Sequence, residues 1–140
     1  MTTRGMLDTA TVILLGRVND PGELPDECIV SAVTLAELSV GPLVADDERE
    51  RVARQAHLQQ AEADFDMVPF GADAARAFGG VAAALRARGR RTSARAYDAL
   101  IAATAIAHGV PLYTCNPQDF EGIGALEIHV VTHPDRAVDG

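Results

Sequence analysis

The chain alternates short apolar segments with longer segments rich in alanine, leucine and arginine, and this alternation constrains its fold more than any other feature. The short segments predict five β-strands, over residues 5–7, 28–31, 66–69, 112–115 and 127–131. The longer segments predict helices over residues 9–15, 33–40, 46–64, 73–88 and 94–108. Strands that alternate with helices are typical of a mostly parallel sheet flanked by helices, so we predict the α/β class.

The length and composition favour a single domain that spans residues 1–140. A chain of 140 residues with 48% hydrophobic residues is long enough to bury a core and too short to divide comfortably into two domains. Cys28 and Cys115 lie far apart beside apolar segments, so we expect small buried side chains rather than a disulfide. No segment approaches the ~18 apolar residues of a membrane span, and no signal-peptide pattern is present. We therefore expect a cytoplasmic protein with no membrane partner.

The overall charge restricts how this chain could bind a nucleic acid. Its formal net charge is -8, which opposes nonspecific attraction to phosphate backbones. A nucleic-acid substrate would need bridging cations or a local basic patch. One basic cluster is present, and it directly precedes Asp98: Arg86, Arg88, Arg90, Arg91 and Arg95. The cluster could contact an RNA backbone, and Arg95 is the candidate nearest the acid; the alternative is a solvated helix end whose charge suits the helix dipole.

Asp98 opens a segment, residues 98–107, in which it is the one charged residue. In a helix its neighbours at the third, fourth and seventh following positions are Ile101, Ala102 and Ala105, so its carboxylate projects from an apolar face. An ionised carboxylate without a partner is costly in such a place. The sequence therefore predicts that a cation, a metal or several hydrogen-bond donors lie close to Asp98.

Three other acids follow predicted strands. Asp8 comes directly after the first strand, Glu37 lies one or two helical turns after the second, and Asp119 follows the fourth. Ligands of open α/β sheets bind beyond the carboxyl ends of the strands. The topology thus allows these acids and Asp98 to be gathered into one pocket.

A pocket of this kind would need a divalent cation. Two carboxylates ~4 Å apart repel each other by roughly 4 kcal/mol at an effective dielectric constant of 20. Carboxylate oxygens without clustered His or Cys favour Mg²⁺ or Mn²⁺ over Zn²⁺, and such ions retain waters that can attack a phosphate. The chemistry that this pattern indicates is metal-assisted hydrolysis of phosphodiester bonds.

Each acid also has a structural alternative. Thr34 and Glu37 have the spacing of a capping box, and Asp119 could be an acid in the first turn of a helix that begins at Asn116 and Pro117. Asp8 could cap the first helix, although Thr9 could do so equally well. Asp98 could pair with Arg95. Asp8 and Asp98 have the weaker structural alternatives.

At these same residues the chain resembles the PIN-domain family, specifically the VapC-type toxins of toxin-antitoxin systems. Four segments carry the resemblance and occur in the family's order along nearly the whole chain: Met6-Leu7-Asp8-Thr9, residues 31–38 around Glu37, residues 98–105 from Asp98, and Thr114-Cys115-Asn116-Pro117-Gln118-Asp119-Phe120. Each segment alone is a weak signal, and their combination is much more specific. Many PIN domains have an acid shortly after the threonine of the last segment, where this chain has Asn116.

The resemblance implies a fold, an activity and partners. The implied fold is a three-layer α/β/α sandwich, and the implied activity is that of a Mg²⁺-dependent endoribonuclease, with Mn²⁺ as a substitute. The protein partner would be a VapB-type antitoxin that occupies or blocks the acidic cleft, and a homodimer is expected. The family's acidic positions match Asp8, Glu37, Asp98 and Asp119.

Under this nuclease hypothesis the residues have separate roles. Asp8 and Asp98 would hold the principal ion, while Glu37 and Asp119 orient water or a second ion. Thr114, Asn116 and Arg95 are the candidate substrate-binding residues, the first two for the phosphate.

Other functions fit the sequence less well. An aspartyl-phosphate phosphatase usually needs a second aspartate two positions after the first, where this chain has Ala10. No P-loop or GxGxxG turn is present. No histidine is assigned to the site, because His129 and His133 fit a strand rather than a helix and would lie ~13 Å apart there. A metal-dependent phosphatase and a non-catalytic module that binds a structural cation remain the alternatives.

Overall fold

The structure is a computed structural model that describes residues 2–89 and 96–136. The described residues form one sheet of five strands: β1 (Arg4–Leu7), β2 (Glu27–Ser31), β3 (Asp66–Val68), β4 (Leu112–Thr114) and β5 (Ile128–Val130). Every neighbouring pair is parallel, and the strand order is β3-β2-β1-β4-β5. The predicted α/β class and the sheet of five strands are confirmed.

Five α-helices connect and cover these strands: α1 (Thr9–Leu14), α2 (Ala32–Val40), α3 (Glu48–Asp64), α4 (Ala72–Ala87) and α5 (Ala96–Ala107). The observed ends differ from the predicted ones by a residue or two, and the predicted start of the last helix, residues 94 and 95, lies outside the described residues. The α3 helix begins at Glu48 rather than at residue 46, because Asp47 caps it by accepting a hydrogen bond from the Glu50 N–H at 2.8 Å. Among the described helices, none has both the length and the hydropathy needed to cross a bilayer.

Two apolar clusters lie on opposite faces of the sheet and make three layers. Met6 faces a cluster that includes Leu85 of α4 and Ile101 of α5, while the next residue, Leu7, faces a cluster that includes Val12 of α1 and Ala61 of α3. Successive residues of a strand point to opposite faces, and a sheet covered on both faces needs nearly continuous apolar strands. The three-layer α/β/α arrangement is thereby confirmed.

Gly5 lets the middle of the sheet close tightly. A Cβ atom at this position would lie 2.3 Å from Cε1 of Tyr113, so only a residue without a side chain lets that ring cross β1. The ring also stacks on His129, with centroids 4.6 Å apart. Gly5 therefore helps to hold β4 beside β1 in the register that pairs Leu7 with Tyr113.

The strand order places a topological switch between β1 and β4. From β1 the chain adds β2 and β3 on one side of the sheet, and it then returns to add β4 and β5 on the other. At such a point the connections on the two sides diverge, and open α/β sheets bind ligands beyond the carboxyl ends of the strands there. Asp8 directly follows β1, and the segment from Cys115 to Asp119 directly follows β4.

Candidate active site

Asp8 lies between the end of β1 and the start of α1, at the topological switch of the sheet. Its backbone is extended, and its Oδ1 accepts a hydrogen bond from the Thr11 N–H at 3.2 Å, which makes it the N-cap of the helix. The capping alternative that the sequence left open for Asp8 is thus correct as local structure, while Thr9 lies inside the helix. The capping hydrogen bond involves only Oδ1, and that oxygen can accept further hydrogen bonds. Capping therefore does not prevent the Asp8 carboxylate from also binding a ligand.

Both oxygens of Asp8 also accept hydrogen bonds from buried hydroxyls. Thr11 donates its hydroxyl to Oδ1, and Thr114 donates to Oδ2 at 2.8 Å. Each hydroxyl oxygen in turn accepts a backbone N–H from the segment after β4: Cys115 donates to Thr11 at 3.0 Å, and Asn116 donates to Thr114 at 2.9 Å. The carboxylate is therefore fixed at both ends by groups that are themselves held in place.

The environment of Asp8 is costly for a bare negative charge. The residue is only 3% exposed, and burial raises the pKa of its carboxyl group. Hydrogen bonds from Thr11 and Thr114 act in the opposite direction and lower the pKa, while the negative charge of Asp119 raises it further. A buried carboxylate that receives three donors and faces a second acid is the kind of group that a bound cation stabilises.

Asp119 reaches this site from a short 3₁₀ turn, Pro117–Phe120, that follows β4. The turn begins at Asn116, whose carbonyl oxygen accepts the Asp119 N–H at 3.1 Å, and the fully buried Phe120 anchors its end. Asp119 is an acid in the first turn, as the structural alternative predicted, although the turn is 3₁₀ rather than α-helical and the Asn116 side chain makes no capping hydrogen bond.

Glu37 lies on α2, and its capping alternative is wrong. The helix starts directly after β2 with Ser31 as its N-cap, whose hydroxyl accepts the Val33 N–H at 3.0 Å. Thr34 is consequently inside the helix, and its hydroxyl oxygen accepts a hydrogen bond from Thr9 at 3.0 Å. The capping box does not form because the strand ends in a serine that caps the helix three residues earlier.

The Glu37 carboxylate has a buried oxygen without a protein partner. Within the described part of the chain, Oε1 is buried and accepts no hydrogen bond. The side chain lines a cavity of about 210 Å³, together with Thr9, which follows Asp8, and Arg54 of α3. Arg54 itself donates to the carbonyl oxygen of Gly41 at 2.9 Å and pairs with Glu50. A buried carboxylate oxygen without a donor is costly unless water or a cation satisfies it.

Asp98 lies in the first turn of α5 and is half-buried. Ile101, Ala102 and Ala105 on the same face are fully buried, as the apolar spacing predicted. The helix packs against α2 and against the turn Pro117–Phe120, so it adjoins the elements that carry Glu37 and Asp119. Arg95, the alternative partner of Asp98 and a predicted substrate contact, lies outside the described residues.

The four predicted acids thus lie on elements that contact one another. Asp8 and Asp119 interact electrostatically, and Glu37 is linked to the start of α1 through the contact between Thr34 and Thr9. Across residues 2–89 and 96–136, however, no three His, Cys, Asp or Glu side chains are close enough to form a ready-made metal-binding group. The donor set fits a hard divalent cation, because it consists of carboxylate oxygens that include a buried one without a partner.

The candidate substrate-binding residues are placed as follows. Thr114 is fully buried and bonds to Asp8, while Asn116 is half-buried. Within the basic cluster, Arg86 is exposed and Arg88 pairs with Glu121 at 3.2 Å, whereas residues 90, 91 and 95 are outside the described part. The substrate-binding roles stay predictions.

One residue of the site, Thr11, was not identified from the sequence. The available signal was weak: a hydroxyl residue three positions after an N-cap aspartate. Both cysteines are free, as expected, but Cys115 is buried while Cys28 is only half-buried. His129 lies on β5 as expected, whereas His133 lies beyond the end of that strand.

Comparison with known proteins gives a consistent set of relatives. A sequence model of the PIN domain matches residues 8–126. The chain is 36% identical to Ribonuclease VapC5 of Mycobacterium tuberculosis over 130 residues, which cover 91% of this chain and 93% of that protein. It is 30% identical to Ribonuclease VapC1 of Rickettsia felis over 133 residues, or 93% of this chain and 98% of the relative. Among solved structures, the VapBC-5 member of the VapBC family of toxin-antitoxin systems from Mycobacterium tuberculosis superposes with a TM-score of 0.76 at 34% identity, covering 92% of this chain and 99% of that one.

Proposed function

The chain belongs to the PIN domain family, and from this premise we propose that it is a Mg²⁺-dependent endoribonuclease that acts as the toxin of a toxin-antitoxin pair. The reaction is hydrolysis of RNA phosphodiester bonds, with Mn²⁺ as a substitute ion. The relatives that resemble the chain over most of its length are named as VapC ribonucleases, which supports the activity and the RNA substrate.

The observation that carries this proposal is the position, burial and hydrogen bonding of Asp8. It lies at the topological switch of a parallel sheet, it is almost completely buried, and both its oxygens are fixed by hydroxyl donors. A residue that served only as a helix cap would need neither the second hydroxyl nor a nearby acid such as Asp119. The combination favours a carboxylate prepared to bind a cation.

The remaining acids complete the proposed site. Asp8 and Asp98 would hold the principal ion, and Glu37 and Asp119 would orient the attacking water or a second ion. A bound divalent ion supplies a more acidic attacking water and stabilises the charge that develops on the phosphate oxygens. Glu37 Oε1 is suited to accept a hydrogen bond from that water, because no protein donor within the described residues occupies it.

Two candidate substrate contacts have different parts in this scheme. The Thr114 hydroxyl is buried and directed at Asp8, so we propose that it acts through Asp8 rather than on the phosphate. Asn116 is half-buried and its side chain makes no capping hydrogen bond, which suits it to donate to a phosphate oxygen.

The proposed protein partner is a VapB-type antitoxin that covers the acidic cleft. The solved structure that resembles this chain at 34% identity is a VapBC toxin-antitoxin complex, which supports such a partner. The homodimer expected from the sequence stays a prediction.

A cleavage assay tests the activity. Purified protein is incubated with structured and unstructured RNAs in Mg²⁺, in EDTA, and as the variant Asp98→Asn. The matched control is Asp73→Asn, since Asp73 is an exposed helical aspartate paired with Arg76. We expect Mg²⁺-dependent cleavage by wild type and Asp73→Asn, and none by Asp98→Asn or in EDTA. Cleavage that survives both chelation and the Asp98 substitution would contradict the proposal, and so would a lack of cleavage on every RNA.

A further inference from the structure

Thr11 makes more contacts to the proposed catalytic carboxylate than helix capping requires. It lies three residues after Asp8, in the first turn of α1, and it is fully buried. Its backbone N–H donates to Asp8 Oδ1 at 3.2 Å, which is the ordinary capping bond. Its hydroxyl donates to the same oxygen.

The direction of the hydroxyl bond follows from the residue on its other side. The Cys115 N–H donates to Thr11 Oγ1 at 3.0 Å. A backbone N–H can only donate, so the hydroxyl oxygen is the acceptor there and its own proton is directed to Asp8, which in its ionised form can only accept. Thr11 therefore connects the backbone at the end of β4 to the carboxylate at the end of β1.

This connection is the counterpart of the one made by Thr114. Asn116 donates to Thr114, and Thr114 donates to the other oxygen of Asp8. The two N–H donors are adjacent in the chain, so the two threonines hold both carboxylate oxygens against one short segment of backbone. Rotation of the carboxylate would break a buried hydrogen bond on each side.

We propose that Thr11 is a positioning residue of the active site, whose hydroxyl fixes the orientation of the Asp8 carboxylate for binding the divalent ion. The proposal rests on the proposed function. Packing alone does not call for a hydroxyl here, because valine would fill the same volume on the same helix. Removing an outer-shell partner of a metal-binding side chain commonly costs about 10–100-fold in metal affinity or activity.

The test compares three variants with the wild-type protein. Thr11→Val removes the hydroxyl at nearly constant volume, and Thr11→Ser keeps it. Thr104→Val is the matched control, because Thr104 is also fully buried and its hydroxyl bonds to Leu100 O at 2.7 Å and to Ser31 at 3.3 Å rather than to an acid. Each variant is measured for the Mn²⁺ dissociation constant by electron paramagnetic resonance without RNA, and for kcat and KM of RNA cleavage.

We expect Thr11→Val to weaken Mn²⁺ binding and to lower kcat, each by about 10–100-fold, with KM for RNA unchanged. Thr11→Ser should restore both quantities, and Thr104→Val should leave both near wild type. If Thr11→Val does not fold, Thr11→Cys replaces it, since a thiol donates only weakly, and its values should lie between those of valine and serine.

Two results would overturn the inference and are distinguishable. An active wild type with Thr11→Val indistinguishable from Thr104→Val would overturn the role of Thr11 alone. Wild-type protein that neither binds Mn²⁺ nor cleaves RNA would overturn the proposed function and this inference with it.

Discussion

Thr114 donates its hydroxyl to Asp8 Oδ2 at 2.8 Å, although the two residues are 106 positions apart in the chain. The contact is possible because β1 and β4 are neighbours in a parallel sheet and end at the same edge. The contact joins the end of β1, which Asp8 follows, to the end of β4, which Asn116 and Asp119 follow. Several consequences of this arrangement can be measured.

Loss of the Thr114 hydroxyl should lower the stability of the fold. In Thr114→Val the Asn116 N–H and Asp8 Oδ2 both lose a buried partner, and we expect the free energy of unfolding to fall by about 1–3 kcal/mol. Urea unfolding measures the change. Thr132→Val is the control, because Thr132 is exposed and bonds to Glu23. Equal stability of the two variants would show that the buried hydroxyl contributes nothing.

The stability of the metal-free protein should depend on pH through Asp8. Because burial raises the pKa of Asp8 above its ordinary value of 3.8, the folded protein retains a proton there that the unfolded chain has lost. The contribution of Asp8 to stability therefore falls as pH rises from about 3.8 to the raised pKa, and it is constant at higher pH. In Asp8→Asn this component is absent. Urea unfolding in EDTA at a series of pH values above 3.8 should show a steeper decline for wild type than for Asp8→Asn, and parallel curves would contradict a raised pKa at Asp8.

Gly5 and Gly79 should respond in opposite directions to alanine. Gly5→Ala places a Cβ 2.3 Å from a Tyr113 ring atom in a packed core, and we expect a loss of about 1–3 kcal/mol. Gly79 is exposed inside α4, where an added Cβ meets no atom within 4 Å, so Gly79→Ala should stabilise by about 1 kcal/mol. Thermal unfolding of the two variants checks the pair. A stabilised Gly5→Ala would show that the ring does not cross β1 as described.

Divalent ions should stabilise the folded protein. An ion that binds only the folded state at a concentration 100 times its dissociation constant adds about 2.7 kcal/mol to the free energy of unfolding. Mg²⁺ or Mn²⁺ should therefore raise the melting temperature of wild type, and removal by EDTA should reverse the rise. The variants Asp8→Asn and Asp98→Asn should show little change, and a rise equal to that of wild type would place the ion elsewhere.

The fold was largely predictable because its central strands, β1, β2 and β4, are mostly buried on both faces. Strands such as β1 and β4 are short apolar segments between helical ones. This pattern can be recognised in the sequence without knowing which strands pair with each other. The helix that follows Leu7 was also placed correctly, with its start at Thr9. Predicted ends differ where a polar residue such as Asp47 caps a helix instead of entering it.

The candidate site was predictable in its acids and not in its hydrogen bonds. Asp98 could be singled out because its helix is otherwise uncharged, and Ile101 and Ala105 are indeed buried. The capping box at Thr34 failed because the helix begins three residues earlier, after the Ser31 cap, and the spacing of Thr34 and Glu37 occurs equally inside a helix. The role of Thr11 depends on a backbone N–H 104 positions away, and no local pattern encodes such a contact.

The central claim is that Asp8 and Asp98, 90 positions apart in the sequence, hold one divalent ion. The most direct measurement is anomalous X-ray diffraction from crystals soaked in Mn²⁺, recorded on both sides of the manganese absorption edge. The account predicts a Mn²⁺ peak within coordination distance, about 2.0–2.2 Å, of one carboxylate oxygen from each residue. A peak that neither residue coordinates, or one that persists unchanged in Asp98→Asn, would contradict it.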